Sequence, residues 1–242
     1  MKGFLKLLAW LAAVAILLLV LLRLVLMPLL VDRWHLPEAN LSALPAKSSP
    51  ANQHDTVPLS QISKWMQLAI LATEDHRFYQ HHGIDSLGLI RAGIDNLLAG
   101  HMVEGASTIS QQLAKIAFLN QEERTARRKF SQIILAVELE DKYTKEQILE
   151  AYLNRVYFGR GAYGIESAAR TYFGIPASKL SIAQAAFLAG IVRAPSVLGD
   201  KHHLDDALLR QRQVIQSMHQ YGYITDAQFN SLINQKFGRE RT

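Results

Sequence analysis

The chain has 242 residues, of which 49% are hydrophobic, and carries a formal net charge of +5. This length favours one domain with an appendage, and the apolar content is enough for a sizeable core. Because cysteine is absent, a disulfide framework, a thiol nucleophile and a zinc site built on thiolates are excluded. The positive charge predicts an anionic partner, such as lipid headgroups, a polyphosphate or nucleic acid.

The first element in chain order is a long apolar run. Residues 7–22 are apolar without interruption, and after Arg23 the run continues to Leu30 with a single break at Pro28. At about 1.5 Å per residue the first piece spans roughly 24 Å, and the whole run exceeds the roughly 30 Å of a hydrocarbon core. We therefore predict a cytoplasmic N-terminus and one transmembrane helix over residues 1–31.

The charges beside this run predict its orientation. Lys2, Lys6 and the terminal amine precede it, which favours a cytoplasmic N-terminus and places the rest of the chain outside the cytoplasm. A cleaved signal peptide is the alternative, but no small-x-small cleavage site follows the apolar run. Since an exported domain seldom meets nucleic acid, phosphate in a lipid carrier becomes the favoured anionic partner.

The remaining sequence divides into a linker and a helical domain. Residues 32–59 carry four prolines among small and polar residues, which is typical of a linker. Over residues 60–242 apolar residues recur at three- and four-residue spacings without period-two alternation, so we predict one all-α domain. The predicted helices cover residues 60–74, 86–99, 107–119, 123–142, 145–157, 164–173, 181–193, 204–220 and 225–235. The predicted capping boxes are Thr144 with Gln147, Ser181 with Gln184, and Thr225 with Gln228.

Residues 74–83 place two carboxylates, aromatic rings and three histidines at the end of an apolar helix. In such surroundings the pKa of Glu74 could rise enough for the side chain to act as a general base. The residues alone leave two other interpretations open. Asp75 forms a solvated ion pair with Arg77, or it binds a metal together with the histidines. These histidines are His76, His81 and His82.

Residues 105–115 combine a glycine with a polar helix face. Thr108, Gln112 and Lys115 lie four and three residues apart, so one face presents a hydroxyl, an amide and an ammonium group. Gly105 would let the backbone approach a ligand at the helix N-terminus, where anions are favoured. A merely solvated helix face is the alternative.

Residues 124–132 are strongly basic. Arg124, Arg128 and Gln132 lie on one i, i+4 row, with Arg127 and Lys129 beside it. So many cations at a helix start are unfavourable with the helix dipole unless an anion offsets them. A solvated or lipid-facing basic surface explains the cluster equally well.

Residues 148–169 begin with an apolar helix stripe that includes Tyr152, so most of this stretch is scaffold. Glu150 and Asn154 share the opposite row of the same helix. The glycines that follow, Gly159, Gly161 and Gly164, favour a tight loop beside a groove.

In this order and spacing, the four stretches resemble the peptidoglycan glycosyltransferase domain of monofunctional transglycosylases and bifunctional penicillin-binding proteins. Residues 74–83 match the motif Glu-Asp-x-x-Phe-x-x-His-x-Gly, and residues 105–112 match Gly-x-Ser-Thr-Ile-x-Gln-Gln. Arg128-Lys129 is similar to the third motif, residues 152–169 to the fourth and residues 185–195 to the fifth. The resemblance covers residues 57–242.

This resemblance implies a lysozyme-like helical fold with a small membrane-associated jaw at residues 85–104. The apolar jaw residues would be Leu87, Leu89, Ile90, Ile94, Leu97, Leu98 and Met102. The implied reaction is attack by the 4-hydroxyl of acceptor lipid II on the anomeric carbon of the lipid-linked growing chain, with inversion and loss of undecaprenyl diphosphate. The implied location is the bacterial inner membrane, single-pass, with the domain in the periplasm. The implied partners are lipid II, lipid-linked glycan, membrane lipids and other cell-wall synthesis and division proteins, and no nucleic acid.

The resemblance also implies residue roles. Glu74 matches the family's catalytic glutamate, and Asp75 and Gln132 would support or orient the reacting groups. The implied ligands of the diphosphate and sugars are Phe78, His81, Ser107, Thr108, Gln112, Lys115, Arg128, Lys129 and Asn154. A diphosphate is a good leaving group, so it needs nearby cations more than a proton. No cofactor and no metal ligand set is identified, although Mg²⁺ or Mn²⁺ bridging the diphosphate to Asp75 stays open.

Two positions depart from the family's motifs. Gln132 and Gln184 stand where glutamate is usual, and an amide cannot act as a base. Because Ser-x-x-Lys and Lys-Thr-Gly are absent from the sequence, we expect the monofunctional type, without a transpeptidase half. The alternatives are a catalytically weak lipid II-binding or scaffold protein, and a lysozyme-like lytic enzyme, which would need a protonated carboxylic acid.

Overall fold

The computed structural model of the protein describes Leu29 and residues 36–41, 56–99, 107–119 and 125–233. The chain divides into two units, residues 1–38 and 39–242. In the described ranges, no helix has both the length and the apolarity that crossing a bilayer requires. Apart from Leu29, the predicted transmembrane helix lies outside those ranges.

Within these ranges the second unit is built of α-helices joined by short 3₁₀ turns, and none of it forms a strand. The predicted all-α architecture is therefore confirmed for this part of the chain. The helices are α1 Lys64–Glu74, α2 Ser86–Ala99, α3 Ile109–Phe118, α4 Ala126–Lys142, α5 Lys145–Leu153, α6 Ile165–Phe173, α7 Ile182–Ile191, α8 Pro195–Leu198, α9 Leu204–Gln220 and α10 Asp226–Ile233.

Helix α7 lies at the centre of this unit. It is apolar on every side and buried from Ala185 to Ile191, as expected of a helix enclosed by others. Helices α1 and α9 pack against it and against each other. This arrangement brings together the C-terminal end of α1, the segment after α7 and the middle of α9, although these lie far apart in sequence.

A second group of helices consists of α3, α4 and α5. Helix α3 packs against α4 and α5, and its buried face includes Ile109, Leu113 and Ala114. Thr108 caps α3 by accepting a hydrogen bond from the Gln111 N–H. The polar side of α3 consequently faces the C-terminal end of α1.

The capping boxes confirm the predicted helix starts. In Thr144–Gln147 and Ser181–Gln184 each side chain accepts a hydrogen bond from the other residue's N–H. Thr225 N donates to Gln228 Oε1 at 2.9 Å, and Gln228 N donates to Thr225 Oγ1 at 3.3 Å. The Gln184 amide is thus used by its own helix start.

Two segments of the predicted linker pack onto the helical unit. Ala39 is buried, and the Leu41 N–H donates to the Tyr143 hydroxyl at 2.9 Å. Further along, the Leu59 N–H donates to Glu150 Oε2 at 2.7 Å. Residues 39–41 and 56–59 therefore belong structurally to the domain.

Helix α1 begins at Lys64, four residues later than predicted, after a separate 3₁₀ turn at Leu59–Gln61. The α5–α6 connection is a second departure from the predicted helices. Helix α5 ends at Leu153, four residues earlier than predicted, and a loop with three left-handed glycines follows. Gly164 has φ +80°, and a Cβ there would lie 2.7 Å from the Asn154 carbonyl oxygen. Only glycine fits this close approach without strain.

Candidate active site

The carboxylate of Glu74 lies where α1 ends, and α3 holds it. Gln112 Nε2 donates a hydrogen bond to Glu74 Oε2 at 2.7 Å. The other end of the Gln112 amide, Oε1, accepts a hydrogen bond from the Tyr152 hydroxyl at 2.9 Å. Tyr152 is fully buried on α5. Its hydrogen bond therefore fixes the orientation of the Gln112 amide and keeps the amide N–H group directed at Glu74.

Burial raises the pKa of Glu74 above its ordinary value of 4.5. The hydrogen bond from Gln112 and the charges of Arg210 and Arg193 act in the opposite direction, and the charge of Asp75 adds to the rise. The loss of hydration outweighs the stabilising partners, so the group holds a proton more readily than an exposed glutamate. A raised pKa is what a general base working near neutral pH requires.

A cleft of about 860 Å³ opens over Glu74. Five of its lining side chains are cationic, and its acidic lining residues among those described are Glu74 and Asp75. The cationic residues are Arg91, Lys115, Arg128, Arg193 and Arg210. Ser107, Gln111, Gln112, Gln132, Gln213 and Ser217 add hydroxyl and amide groups. An anionic, hydrogen-bonding ligand suits this lining.

Asp75 is already committed to protein partners. His81 Nε2 lies 3.0 Å and 2.9 Å from its two carboxylate oxygens. Asp75 Oδ2 also accepts a hydrogen bond from the Ile109 N–H at 3.0 Å. Protein donors therefore hold Asp75 in place, and its role as a bridge between Mg²⁺ or Mn²⁺ and a diphosphate stays a prediction.

The three histidines do not form a metal site with Asp75, so this interpretation is wrong. His76 stacks on Tyr221 with ring centroids 4.2 Å apart, whereas His82 Nε2 lies 2.8 Å from Asp141. Across the described residues no group of three or more His, Asp or Glu side chains is arranged to hold a metal ion. The solvated Asp75–Arg77 pair is wrong as well, because Arg77 pairs with Asp85 at 3.3 Å.

Comparison with known proteins identifies the family. The family model described as transglycosylase matches residues 42–219. The chain belongs to the transglycosylase family.

Several relatives are similar to this transglycosylase. Penicillin-binding protein 1A of Escherichia coli is 45% identical over 174 residues, which are 72% of this chain and 20% of that protein. Penicillin-binding protein 1A of Aquifex aeolicus is 43% identical over 178 residues, 74% of this chain and 24% of that protein. A Cupriavidus necator protein named as a transglycosylase is 38% identical over 193 residues, 80% of this chain and 83% of that protein.

The transglycosylase chain thus spans about a fifth to a quarter of the length of the penicillin-binding proteins it matches. A crystal structure of penicillin-binding protein 1A from Haemophilus influenzae is similar with a TM-score of 0.46 and 20% identity, over 77% of this chain and 18% of that one.

Seven of the residues predicted for the transglycosylase site line the cleft. These are Glu74, Asp75, Ser107, Gln112, Lys115, Arg128 and Gln132. They come from the end of α1, from α3 with the residue two before it, and from the first half of α4. The structure therefore brings together three stretches that the sequence separates by as many as 58 positions.

The five other predicted residues lie outside the cleft lining, and their substrate contacts stay a prediction. Phe78 is fully buried, with Lys145 Nζ 4.4 Å from its ring centroid. His81 contacts Asp75, which lines the cleft, but does not line the cleft itself. Thr108 is buried as the cap of α3, and its hydroxyl donates to the Gly83 carbonyl at 2.8 Å.

Lys129 and Asn154 also bind protein groups. Lys129 Nζ donates to Ser107 Oγ at 2.9 Å and to Gln111 Oε1 at 3.1 Å. Partial burial and the charges of Arg128 and Lys115 lower its pKa. The Asn154 amide pairs with the Val57 N–H at 3.0 Å and the Val57 carbonyl at 2.9 Å. Lys129 thus supports the cleft wall through Ser107 and Gln111, whereas Asn154 ties residue 57 to the end of α5.

The sequence did not predict three of the cationic residues that line the cleft, Arg91, Arg193 and Arg210. Arg193 follows α7 inside the segment similar to the family's fifth motif, so that segment offered a signal for it. Arg210, on α9, and Arg91, on α2, belong to helices without a recognised motif. Their places in the cleft follow from how α2, α7 and α9 pack, which a local pattern does not report.

Proposed function

We propose that the protein polymerises lipid II into linear glycan strands as a peptidoglycan glycosyltransferase. The observation that carries the proposal is the Glu74 carboxylate on the floor of a cleft whose other charged groups are mostly cations. Membership of the transglycosylase family and 45% identity to a penicillin-binding protein 1A support it. A lysozyme-like helical fold is part of the same proposal.

In the proposed reaction Glu74 acts as the general base. The acceptor 4-hydroxyl transfers its proton to the carboxylate while its oxygen bonds to the anomeric carbon of the growing chain. The bond from that carbon to the diphosphate breaks on the opposite face, and the electron pair stays with undecaprenyl diphosphate. Gln112 holds the base in place at 2.7 Å, which favours one attack geometry.

The cations of the cleft would stabilise the departing diphosphate. Lys115 and Arg128 reach the cleft from α3 and α4, while Arg193 and Arg210 enter from the other wall. Guanidinium groups form forked contacts with phosphate oxygens and keep their charge at every working pH. No step in this scheme requires a metal ion.

The same cations argue against a lysozyme-like lytic enzyme. Hydrolysis of a glycan expels a sugar alkoxide, which requires a carboxylic acid that is protonated in the resting enzyme. Such an acid has no need of the five cations that line the cleft, whereas a departing diphosphate is stabilised by them. Transfer from a diphosphate carrier needs no such acid.

The exposed side of α2 supports the proposal of a membrane-associated jaw. Leu87, Leu89, Ile90 and Leu97 are 56–82% exposed. Apolar side chains left together on one helix fit insertion into lipid better than water. The side chains of Ile94, Leu98 and Met102 lie outside the described residues. A single-pass anchor in the inner membrane and a periplasmic domain complete this part of the proposal.

The monofunctional form is also proposed, and the Cupriavidus necator relative supports it, because the match covers 83% of that protein. Membrane lipids, lipid-linked glycan and other cell-wall synthesis and division proteins are the proposed partners.

Gln132 is the observation that favours a second candidate, a catalytically weak lipid II-binding protein. Its side chain lines the cleft but can neither accept a proton nor carry charge. Polymerisation therefore has to proceed with Glu74 as its base. Under the proposal Gln132→Glu retains or raises turnover, whereas a binding-only protein stays inactive in both forms.

Incubation of the purified full chain with lipid II in detergent tests the proposal. We expect glycan polymer together with released undecaprenyl diphosphate, and Glu74→Gln should abolish both while lipid II binding persists. Cleavage of preformed glycan would point to the lytic enzyme, and binding without turnover to the second candidate. Wild-type turnover by Glu74→Gln would remove Glu74 from its role.

A further inference from the structure

Behind the cleft floor lies a buried ionic cluster, formed by Asp75, His81, Glu140 and Lys145. Its side chains come from the end of α1, the turn after it, α4 and α5. The side chains of Asp75, His81 and Glu140 are 2–4% exposed, and that of Lys145 is 18% exposed. Charged groups this deep are costly unless each has partners.

Glu140 is the centre of the cluster. Lys145 Nζ lies 2.7 Å from Glu140 Oε2, and His81 Nδ1 lies 3.8 Å from Glu140 Oε1. The Ser110 hydroxyl, on α3, also donates a hydrogen bond to Glu140 Oε1. One carboxylate thus contacts side chains from α3, from α5 and from the turn after α1.

His81 connects Glu140 to Asp75. Its Nε2 faces both Asp75 oxygens, so this nitrogen carries the hydrogen, and Nδ1 faces Lys145 Nζ at 3.5 Å. A carboxylate on one ring nitrogen fixes the orientation of the whole imidazole. The position of Asp75 therefore depends on the contacts that Glu140 and Lys145 make with the far side of the ring.

Asp75 in turn fixes the start of α3. Its Oδ2 accepts the Ile109 N–H at 3.0 Å, one of the free donors of the first helical turn. Three residues later Gln112 donates to Glu74 at 2.7 Å. The cluster holds α3 at two points, at Ile109 through Asp75 and at Ser110 through Glu140.

We infer that Glu140 and Lys145 are positioning residues, which hold Asp75 and the first turn of α3 so that Gln112 meets Glu74 in its working geometry. Neither residue lines the cleft. The inference rests on the proposed function for its kinetic test, and on the structure alone for its second test.

The kinetic test compares Glu140→Gln with wild type in lipid II polymerisation. A displaced base mainly affects the chemical step, so we expect kcat to fall by about 10-fold or more, with KM within about twofold. Lys145→Met should behave alike, and Lys145→Arg should restore most of kcat. The matched control is Glu138→Gln, on the same helix, whose carboxylate pairs with Lys142 at 2.8 Å and should tolerate the change.

Hydrogen–deuterium exchange supplies a measurement independent of activity. In Glu140→Gln the amides of residues 109–112 should exchange faster, while those of α7 keep wild-type rates, and Glu138→Gln should change neither. Unchanged exchange at residues 109–112 together with unchanged kcat would overturn the inference. Faster exchange throughout the domain would show general loss of stability and would also overturn it. A wild-type protein that makes no glycan would refute the proposed function, and the exchange result would still decide this inference.

Discussion

The Gln112 amide donates its hydrogen bond to the Glu74 carboxylate at 2.7 Å, and a buried tyrosine hydroxyl fixes the direction of that amide. The bond stabilises the ionised form of Glu74, whereas burial favours the protonated form. Burial is the larger of the two effects, so the pKa of Glu74 lies above its ordinary value, as the proposed role of general base requires.

The first prediction concerns the pH dependence of polymerisation. The proposed reaction needs ionised Glu74, so its rate should fall as pH drops through the pKa of this group. Because burial raises that pKa, the acid limb of the kcat/KM profile should lie above the ordinary value of 4.5. Initial rates measured from pH 4 to pH 9 would check it, and an acid limb at or below 4.5 would contradict it.

The second prediction concerns the stability of Glu74→Gln. A carboxyl group whose pKa is higher in the folded state favours folding while protonated, and this contribution is lost as pH rises through the folded pKa. At a pH above the folded pKa the substitution removes the buried charge and keeps an oxygen that accepts from Gln112. We expect the Tm to rise by about 2 °C, with no gain at a pH well below the ordinary value.

Glu166→Gln is the matched control for that measurement. Glu166 is also buried, but its carboxylate accepts the Ala177 N–H at 2.7 Å and pairs with Arg170 at 2.7 Å. Its charge has good partners, so the same substitution there should lower the Tm. A Tm that is lower for both variants at every pH would show that the charge of Glu74 does not destabilise the fold.

The third prediction concerns Arg193 and Arg210. Replacing either with glutamine removes a cation that would hold the diphosphate, so kcat/KM should fall by about 10- to 100-fold. Each arginine also lowers the pKa of Glu74, so its loss should move the acid limb to higher pH. Arg212 lies on the same helix as Arg210 but outside the cleft lining, so Arg212→Gln should change neither kcat/KM nor the acid limb. A lower rate without a shifted limb would contradict the electrostatic coupling.

The fourth prediction separates two glycines of the α5–α6 loop by denaturant unfolding. Gly164 and Gly161 have φ +80° and +74°, but only at Gly164 would a Cβ meet the backbone, at 2.7 Å from the Asn154 oxygen. Gly161→Ala should cost about 1 kcal/mol of strain. Gly164→Ala adds a steric clash and should cost about 3 kcal/mol. Equal losses would show that the loop relaxes around the new methyl group.

Much of the helical framework could be predicted because its signals are local. Thr144, Ser181 and Thr225 lie three residues before the glutamines that complete their caps, and each helix begins there. The end of α5 could not be read in the same way. Periodicity extends past Leu153, but the Asn154 side chain bonds to Val57, and a contact 97 residues away leaves no local pattern.

The candidate site was predictable in its motifs but not in the direction of every side chain. Glu74 and Lys115 face the cleft, whereas Phe78 and Thr108 of the same motifs point into the core. A sequence motif contains both residues that face the cleft and residues that pack in the core. The motif alone does not tell one kind from the other. Arg210 joins the site because α9 packs against α1 and α7, which only the tertiary arrangement reveals.

The cleft walls come from α1, α2, α3, α4, α9 and the segment after α7, which are distant along the chain. A small molecule seated among them would link these segments, and the protein would have to release it before unfolding. Such a compound would raise the melting temperature with the logarithm of its concentration. Differential scanning fluorimetry on the purified chain would then find ligands of the cleft without any lipid substrate.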